Sequence, residues 1–241
     1  MAFRSIDTIS DYCQNAFIES SSSDILLVFL PAVNSKNIYP YYPRKSWGEE
    51  LSKVYNVLYI SDPYQPLPEY KDPMGSWFIS PEGRSTLEVL AEKIEVFMKE
   101  ISAKNVVFYG SSMGGYAAII LSCLIENSKA ISECPQLYMK EHPGSRFICE
   151  NILDKNTKIN DIEPLSFLKK NSKYNLNIVC SIFDRHYEKH VIPFLEDIRN
   201  GSYENLKLET YLYSYPSYKK GHVALQKSEA FKLIDKVANT F

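Results

Sequence analysis

The hydrophobic positions of this chain fall into two alternating patterns. Runs of five to seven residues, most of them apolar and rich in β-branched and aromatic side chains, predict buried strands. These runs are 24–30, 56–60, 105–109, 129–134, 177–183 and 207–213. Between them, longer stretches with apolar residues at three- and four-residue intervals predict helices. The predicted helices are 5–19, 46–54, 86–101, one that includes 116–121, 185–199 and 223–238.

The order of these elements predicts the fold class. Strands that alternate with helices form a mainly parallel sheet with right-handed crossovers and helices on both faces. We therefore predict an α/β fold, a three-layer sandwich with six strands. A chain of 241 residues can form one such unit, so we predict a single domain over 1–241. The less regular segment 135–175 is predicted to be a small cap or insert.

The segment 110–115, GSSMGG, directly follows the apolar run 105–109 and precedes a predicted helix. It matches G-x-S-x-G, in which a serine lies on a very tight turn between a strand and a helix. Gly110 and Gly114 leave room for this turn because they have no side chain. The motif predicts that Ser112 is a nucleophile and that the backbone N–H of Met113 stabilises an oxyanion. A glycine-rich turn without catalytic function is the alternative.

Two further residues complete a serine-hydrolase set in chain order. Asp184 follows the predicted strand 177–183, and His222 lies in the loop after the strand 207–213. The order Ser112, Asp184, His222 is the order of the α/β-hydrolases, and open α/β sheets place their sites at this edge. His222 would be the general base and Asp184 would orient it. Alternatively, Asp184 caps the following helix and His222 is an ordinary loop residue.

Two long loops are predicted to form the substrate pocket. The second oxyanion donor should be the backbone N–H of Ala32 or Val33, at the start of the segment 31–47. Aromatic side chains in this segment and in the loop 61–82 suit stacking on sugar rings. They could equally well close the core beneath the loops. The predicted substrate-binding residues are Trp47, Trp77, Tyr42 and Arg44.

The other histidines do not form a metal motif. His186 and His190 are four residues apart on a predicted helix, but Glu188 between them is not in the H-E-x-x-H position. We predict a solvated helix face for these two residues, with His186 close enough to Asp184 to border the site, and assign no function to His142. No metal site is predicted.

Composition excludes several classes of function. The net charge of −2 and the scattered basic residues argue against nucleic-acid binding. No apolar stretch is long enough to cross a bilayer, and the first residues contain no signal-peptide core. The five cysteines are odd in number and lack C-x-x-C spacing, which is typical of reduced thiols in a cytoplasmic protein.

These motifs resemble those of a known family. The segment GSSMGG, the sequence Cys134-Pro135-Gln136 after the next strand, Asp184 and the pair Gly221-His222 are similar to bacterial α/β-hydrolase-fold enzymes of surface-polysaccharide loci. That family includes capsule O-acetyltransferases and glycoprotein acetyltransferases of accessory secretion systems. The resemblance covers about residues 24–241 and depends on these short motifs.

The resemblance implies acyl transfer to or from a sugar hydroxyl through an acyl-serine intermediate. The expected substrate is a saccharide or small molecule carrying an O-acetyl group, and no cofactor is expected to be tightly bound. Acetyl-CoA is the expected co-substrate if the protein is an O-acetyltransferase, whereas an esterase would use water. A general carboxylesterase or thioesterase and a non-catalytic scaffold with this fold are the alternatives. The oligomeric state is not predicted.

Overall fold

The structure is a computed structural model that describes residues 2–20, 22–168, 172–201, 203, 205–215 and 221–241. Its centre is a seven-stranded sheet, one strand more than predicted. The strands are β1 (Asn15–Ile18), β2 (Ile25–Phe29), β3 (Asn56–Ile60), β4 (Asn105–Ser111), β5 (Ser128–Glu133), β6 (Tyr174–Ser181) and β7 (Leu206–Tyr213).

The sheet has the order β1-β3-β2-β4-β5-β6-β7. β1 pairs with β3 in the antiparallel direction, and every other neighbouring pair is parallel. Because parallel strands share one carboxyl edge, the residues that follow β2, β4, β5, β6 and β7 converge at this edge. The functional site described below lies there, as expected for an open α/β sheet.

Helices cover both faces of the sheet. One face packs against α1 (Asp7–Ser10), α3 (Leu87–Glu100), α4 (Met113–Leu124) and α8 (Ile192–Gly201). The opposite face packs against α2 (Gly48–Leu51) and α9 (Lys227–Ala238). The two hydrophobic clusters are separated by the sheet, so the predicted three-layer α/β sandwich is confirmed. Three further helices lie between β5 and β6, namely α5 (Pro143–Asn151), α6 (Ile159–Ile162) and α7 (Pro164–Phe167).

The prediction of a helix over 5–19 is wrong. The structure has only the one-turn helix α1 and then the strand β1 in this region. The side chain of Asn15 accepts a hydrogen bond from the backbone N–H of Ile6 at 2.7 Å, which closes a turn instead of continuing the helix. Phe17 and Ile18 are then buried by pairing with β3, a long-range contact that local periodicity does not reveal.

Other element boundaries differ from the predictions more modestly. β6 ends at Ser181, and the side chains of Ile182 and Phe183 beyond it are more than two-fifths exposed. α9 begins at Lys227 rather than at residue 223, and a π-helical turn (Tyr187–Val191) precedes α8. In the segment 135–175, the described residues form loops and short helices until β6 begins at Tyr174, while 169–171 lie outside the described part. No helix of the described residues has the length and apolarity needed to span a membrane.

Candidate functional site

Ser112 occupies a strained turn between β4 and α4. Its φ of 58° and ψ of −118° are rare for a residue with a side chain. The turn depends on glycines, because a Cβ on Gly110 would lie 2.1 Å from the carbonyl oxygen of Gly114. The backbone N–H of Ser112 donates to the carbonyl of Glu133 at 2.9 Å, which fixes the turn against β5. This is the geometry that a G-x-S-x-G motif requires.

Asp184 and His222 come from different loops and form a short hydrogen bond. His222 Nδ1 and Asp184 Oδ2 are 2.6 Å apart. The other oxygen of Asp184 accepts from the backbone N–H of His186 at 2.9 Å. Asp184 is buried, whereas the side chain of His222 is 48% exposed. With Nδ1 engaged by the carboxylate, Nε2 of His222 is the nitrogen left to exchange a proton with another group.

The charges of this pair favour an imidazolium beside a carboxylate. Burial raises the pKa of Asp184, but the hydrogen bond and charge of His222 outweigh burial and lower it to about 2. Burial lowers the pKa of His222, but the hydrogen bond to Asp184 reverses this effect and raises it to about 10. Asp184 therefore stays ionised at neutral pH and stabilises the protonated form of His222.

Ser112 and His222 line the same cavity. It has a volume of about 360 Å³ and lies at the carboxyl edge of the sheet. Its wall combines groups from the loop after β2, the Ser112 turn, the end of β5 and the His222 loop. The lining residues are Ala32, Val33, Tyr41, Pro43, Arg44, Trp47, Ser111, Ser112, Glu133, Cys134, His222, Val223 and Ala224.

Among the described residues, backbone N–H groups without an acceptor lie on residues that line or border the cavity of Ser112. Within the described part of the chain, no acceptor is bonded to the backbone N–H of Ala32, Val33 or Met113. A Cβ on Gly114 would lie 2.7 Å from the carbonyl oxygen of Pro31, so the start of α4 packs directly on the segment that precedes Ala32. Ala32 and Val33 line the cavity, and Met113 provides the first N–H of α4. The arrangement can stabilise a negative oxygen near Ser112.

The predicted substrate-binding residues separate into two groups. Trp47 and Arg44 line the cavity, together with Tyr41, an aromatic residue of the same segment that was not among the predicted substrate-binding residues. Trp77 is fully buried in the core, where its ring packs 5.6 Å from that of His142. Tyr42 packs on Tyr59 and does not line the cavity. Their positions therefore do not support contact of Trp77 or Tyr42 with a substrate in the cavity. The sequence analysis included them because local sequence does not show which aromatic residues face the core.

The prediction that His186 and His190 lie on a solvated helix face is wrong. His186 is 5% exposed and His190 is fully buried, with their rings 5.1 Å apart. The ring of His186 also packs 4.8 Å from His222 and 5.8 Å from His142, so all four histidines of the chain cluster beside Asp184. Burial is the main cause that lowers the pKa of His186, His142 (to about 4) and His190 (to about 3). These three are neutral at neutral pH.

Glu133 is a cavity residue that the sequence analysis missed, and Cys134 beside it was noted only as part of the family resemblance. Both lie at the carboxyl end of β5 and line the cavity. Their position after a central strand is a signal that could have identified them, since this is the edge where α/β sheets place functional groups. A hydrogen bond with Cys180 and burial raise the pKa of the Cys134 thiol, so it stays protonated.

Donor atoms around Asp184 are close enough to bind a metal ion. Its carboxylate, Cys134 Sγ and Cys180 Sγ lie within 4.8 Å of one another, as do the donor atoms of Asp184, His186 and His222. Both oxygens of Asp184 already accept hydrogen bonds, from His222 and from the backbone of His186. A cation would have to displace these bonds, so the existing contacts favour the Asp184–His222 pair over a metal site.

The chain matches known proteins by its structure and not by its sequence. No protein-family model matches it, and no curated protein matches it. The structure, in contrast, matches many solved structures.

Three of these structures show the range of similar proteins. The capsule O-acetyltransferase of Neisseria meningitidis serogroup A is 19% identical with a TM-score of 0.66, and the match covers 99% of this chain and 92% of that one. Esterase B from Lactobacillus rhamnosis is 12% identical with a TM-score of 0.67, over 94% and 81% of the two chains. The acylaminoacyl peptidase of Pyrococcus horikoshii is 17% identical with a TM-score of 0.59, over 92% of this chain but only 38% of the peptidase. The chain thus has the α/β-hydrolase fold.

Proposed function

We propose that the protein is an acyl-transfer enzyme that works through an acyl-serine intermediate on Ser112. The observation that carries this proposal is the 2.6 Å hydrogen bond from His222 to buried Asp184, in a cavity that also contains Ser112 in strained backbone geometry. Strain of this kind costs stability and persists where the surrounding structure or function requires it. A non-catalytic scaffold would not need this strained serine to share a cavity with an Asp–His pair.

In the proposed reaction, Nε2 of neutral His222 takes the proton of Ser112 as Oγ attacks the acyl carbonyl carbon. The N–H groups of Met113 and of Ala32 or Val33 stabilise the oxyanion of the tetrahedral intermediate. His222 then gives its proton to the leaving group, and the acyl-serine remains. An acceptor hydroxyl then gives its proton to His222 as its oxygen attacks this ester. The second tetrahedral intermediate breaks down as His222 returns the proton to Oγ of Ser112, which releases the acylated acceptor and the free enzyme. Asp184 stabilises the imidazolium in both halves of the reaction.

We propose a small acyl group, acetyl, and a carbohydrate acceptor or donor. Tyr41 and Trp47 offer aromatic surface in the cavity wall, and aromatic faces stack on the C–H faces of sugar rings. The fold is shared with a capsule O-acetyltransferase over 99% of this chain, which favours the same class of chemistry. In a transferase, a thioester such as acetyl-CoA would acylate Ser112, and no tightly bound cofactor is needed.

A carboxylesterase or thioesterase is the second candidate. Its support is the structural similarity to esterase B, whose TM-score of 0.67 is close to the 0.66 of the capsule O-acetyltransferase. This second candidate differs from the main proposal in its substrate, which is not a carbohydrate ester, and water attacks its acyl-serine.

The two tryptophans of the chain allow a direct test of the carbohydrate proposal. In Trp77→Phe, cavity-lining Trp47 is the sole tryptophan, and we expect its fluorescence to change when an acceptor oligosaccharide is added. In the control Trp47→Phe, buried Trp77 should not respond. Trp47→Ala should raise the KM for the saccharide on the order of tenfold, the equivalent of one lost stacking contact, and change hydrolysis of a small activated acetate ester less.

Release of thiol from acetyl-CoA distinguishes the two enzyme functions. A transferase should release thiol faster when the saccharide is present and should acetylate it. Preference for long-chain acyl esters, with no response of Trp47 to any saccharide, would contradict the carbohydrate proposal and favour a carboxylesterase or thioesterase. Absence of any turnover would favour a scaffold.

A further inference from the structure

A buried ion pair connects the loops that form the cavity. Glu133, the last residue of β5, has a side chain with no exposed surface, and the side chain of Arg44 is 11% exposed. Arg44 lies in the loop after β2, and its Nη2 donates a hydrogen bond to Oε2 of Glu133. Hydrogen bonds between an arginine and a buried carboxylate are strong because both partners are charged.

Glu133 contacts the loops of both proposed catalytic partners. Its Oε1 accepts a hydrogen bond from the backbone N–H of Leu225, three residues after His222. Its backbone carbonyl accepts from the N–H of Ser112 at 2.9 Å. A single residue therefore ties the His222 loop to the nucleophile turn.

Arg44 adds a third connection and is itself held in place. Its Nη1 donates to Oγ of Ser111, the residue before Ser112, at 3.3 Å. Its guanidinium lies over the rings of Trp47 and Tyr109, at 5.2 and 5.1 Å from their centroids. Because Glu133 already neutralises this guanidinium, Arg44 would attract an anionic substrate group less strongly than an unpaired arginine would.

We propose that Glu133 and Arg44 are a positioning pair that fixes the His222 loop and the Ser112 turn relative to each other. This role differs from the substrate contact predicted for Arg44, and it rests on the proposed function of Ser112 and His222. If the pair acts on geometry, its loss lowers kcat and leaves KM nearly unchanged. Misplacement of reacting groups by about 1 Å can cost on the order of 100-fold in rate.

The test uses Glu133→Gln, which keeps an acceptor for the N–H of Leu225 but removes the charge that holds Arg44. We expect kcat for a small neutral ester to fall on the order of 10- to 100-fold, with KM within about threefold of the parent. The NMR signal of the His222 Nδ1 proton should shift, which a loss of stability alone would not produce below the unfolding temperature. Arg44→Lys keeps the charge but cannot reach Glu133 and Ser111 together, so its kcat should be intermediate.

The matched control is Glu50→Gln, which breaks an exposed ion pair with Lys227 and should leave kcat and KM unchanged. If Glu133→Gln is folded and its kcat equals that of the parent, the positioning role is wrong. A loss confined to KM would also overturn it and return Arg44 to substrate binding. If Glu133→Gln does not fold, Arg44→Lys decides by the same two criteria. Activity that survives in Ser112→Ala would instead refute the proposed function.

Discussion

Protonation of the buried histidine cluster should make the protein unstable in acid. His190 is fully buried, its Nδ1 accepts from the backbone N–H of Tyr138 at 3.2 Å, and its Nε2 has no partner among the described residues. A proton on Nδ1 would break the bond to Tyr138 and place a charge in the core. Burial is the first cause of the low pKa of His190, and the neighbouring His186 adds to it.

The magnitude follows from the difference in pKa between the folded and unfolded states. The pKa of His190 falls from 6.5 in the unfolded chain to about 3 in the folded one. Below pH 6.5 the unfolded chain binds the proton and the folded protein does not, so the free energy of unfolding falls as pH falls. At about 1.4 kcal/mol per pH unit once the unfolded histidine is protonated, His190 alone removes about 2 kcal/mol between about pH 6.5 and about pH 4.5.

Urea unfolding followed by tryptophan fluorescence at several pH values measures this loss. His190→Asn keeps an acceptor for Tyr138 but cannot be protonated, so its free energy of unfolding should fall about 2 kcal/mol less over the same range. If the free energy of unfolding falls equally with pH in the parent and in His190→Asn, the assignment of His190 as a buried neutral histidine is refuted.

Three further predictions concern the proposed reaction. Asp184→Asn should lower kcat on the order of 10³- to 10⁴-fold in ester hydrolysis, with the fold intact by circular dichroism. Activity near that of the parent would exclude Asp184 as the acid that orients His222. In the parent, kcat/KM for a neutral ester should rise with pH through an apparent pKa above 6.5, because His222 must lose its proton to act as a base. Asp184→Asn should lower this apparent pKa. A pH-independent kcat/KM would contradict the role of His222. Gly114→Ala should strongly lower both kcat and thermal stability, since its Cβ would lie 2.7 Å from the carbonyl oxygen of Pro31; full activity would show that α4 does not need this contact.

The sequence predicted the elements whose signals are local. The helical period of apolar residues in α3 and the apolar runs of the central strands were sufficient to predict these elements, because their apolar side chains are buried wherever the sheet forms. The strand β1 was missed because its burial depends on pairing with β3, about forty residues further along the chain. Its four residues are too few to show a period of their own.

The same distinction applies to the site. Ser112, Asp184 and His222 stand out because each follows a strand at the carboxyl edge of the sheet. Glu133 occupies an equivalent position, but its contacts with Arg44 and Leu225 join segments about ninety residues apart and have no motif. Sequence also did not reveal that Trp77 faces the core, since the loop that carries it folds back on His142.

Covalent labelling with a fluorophosphonate tests the central claim most directly. The probe reacts with a serine only where a base and an oxyanion site activate it. Peptide mass spectrometry of the labelled parent should show one adduct on Ser112, and Ser112→Ala should give none while remaining folded. Labelling that persists in Ser112→Ala or lies on Ser111, or a parent that does not react at all, would contradict the claim that Ser112 is the nucleophile.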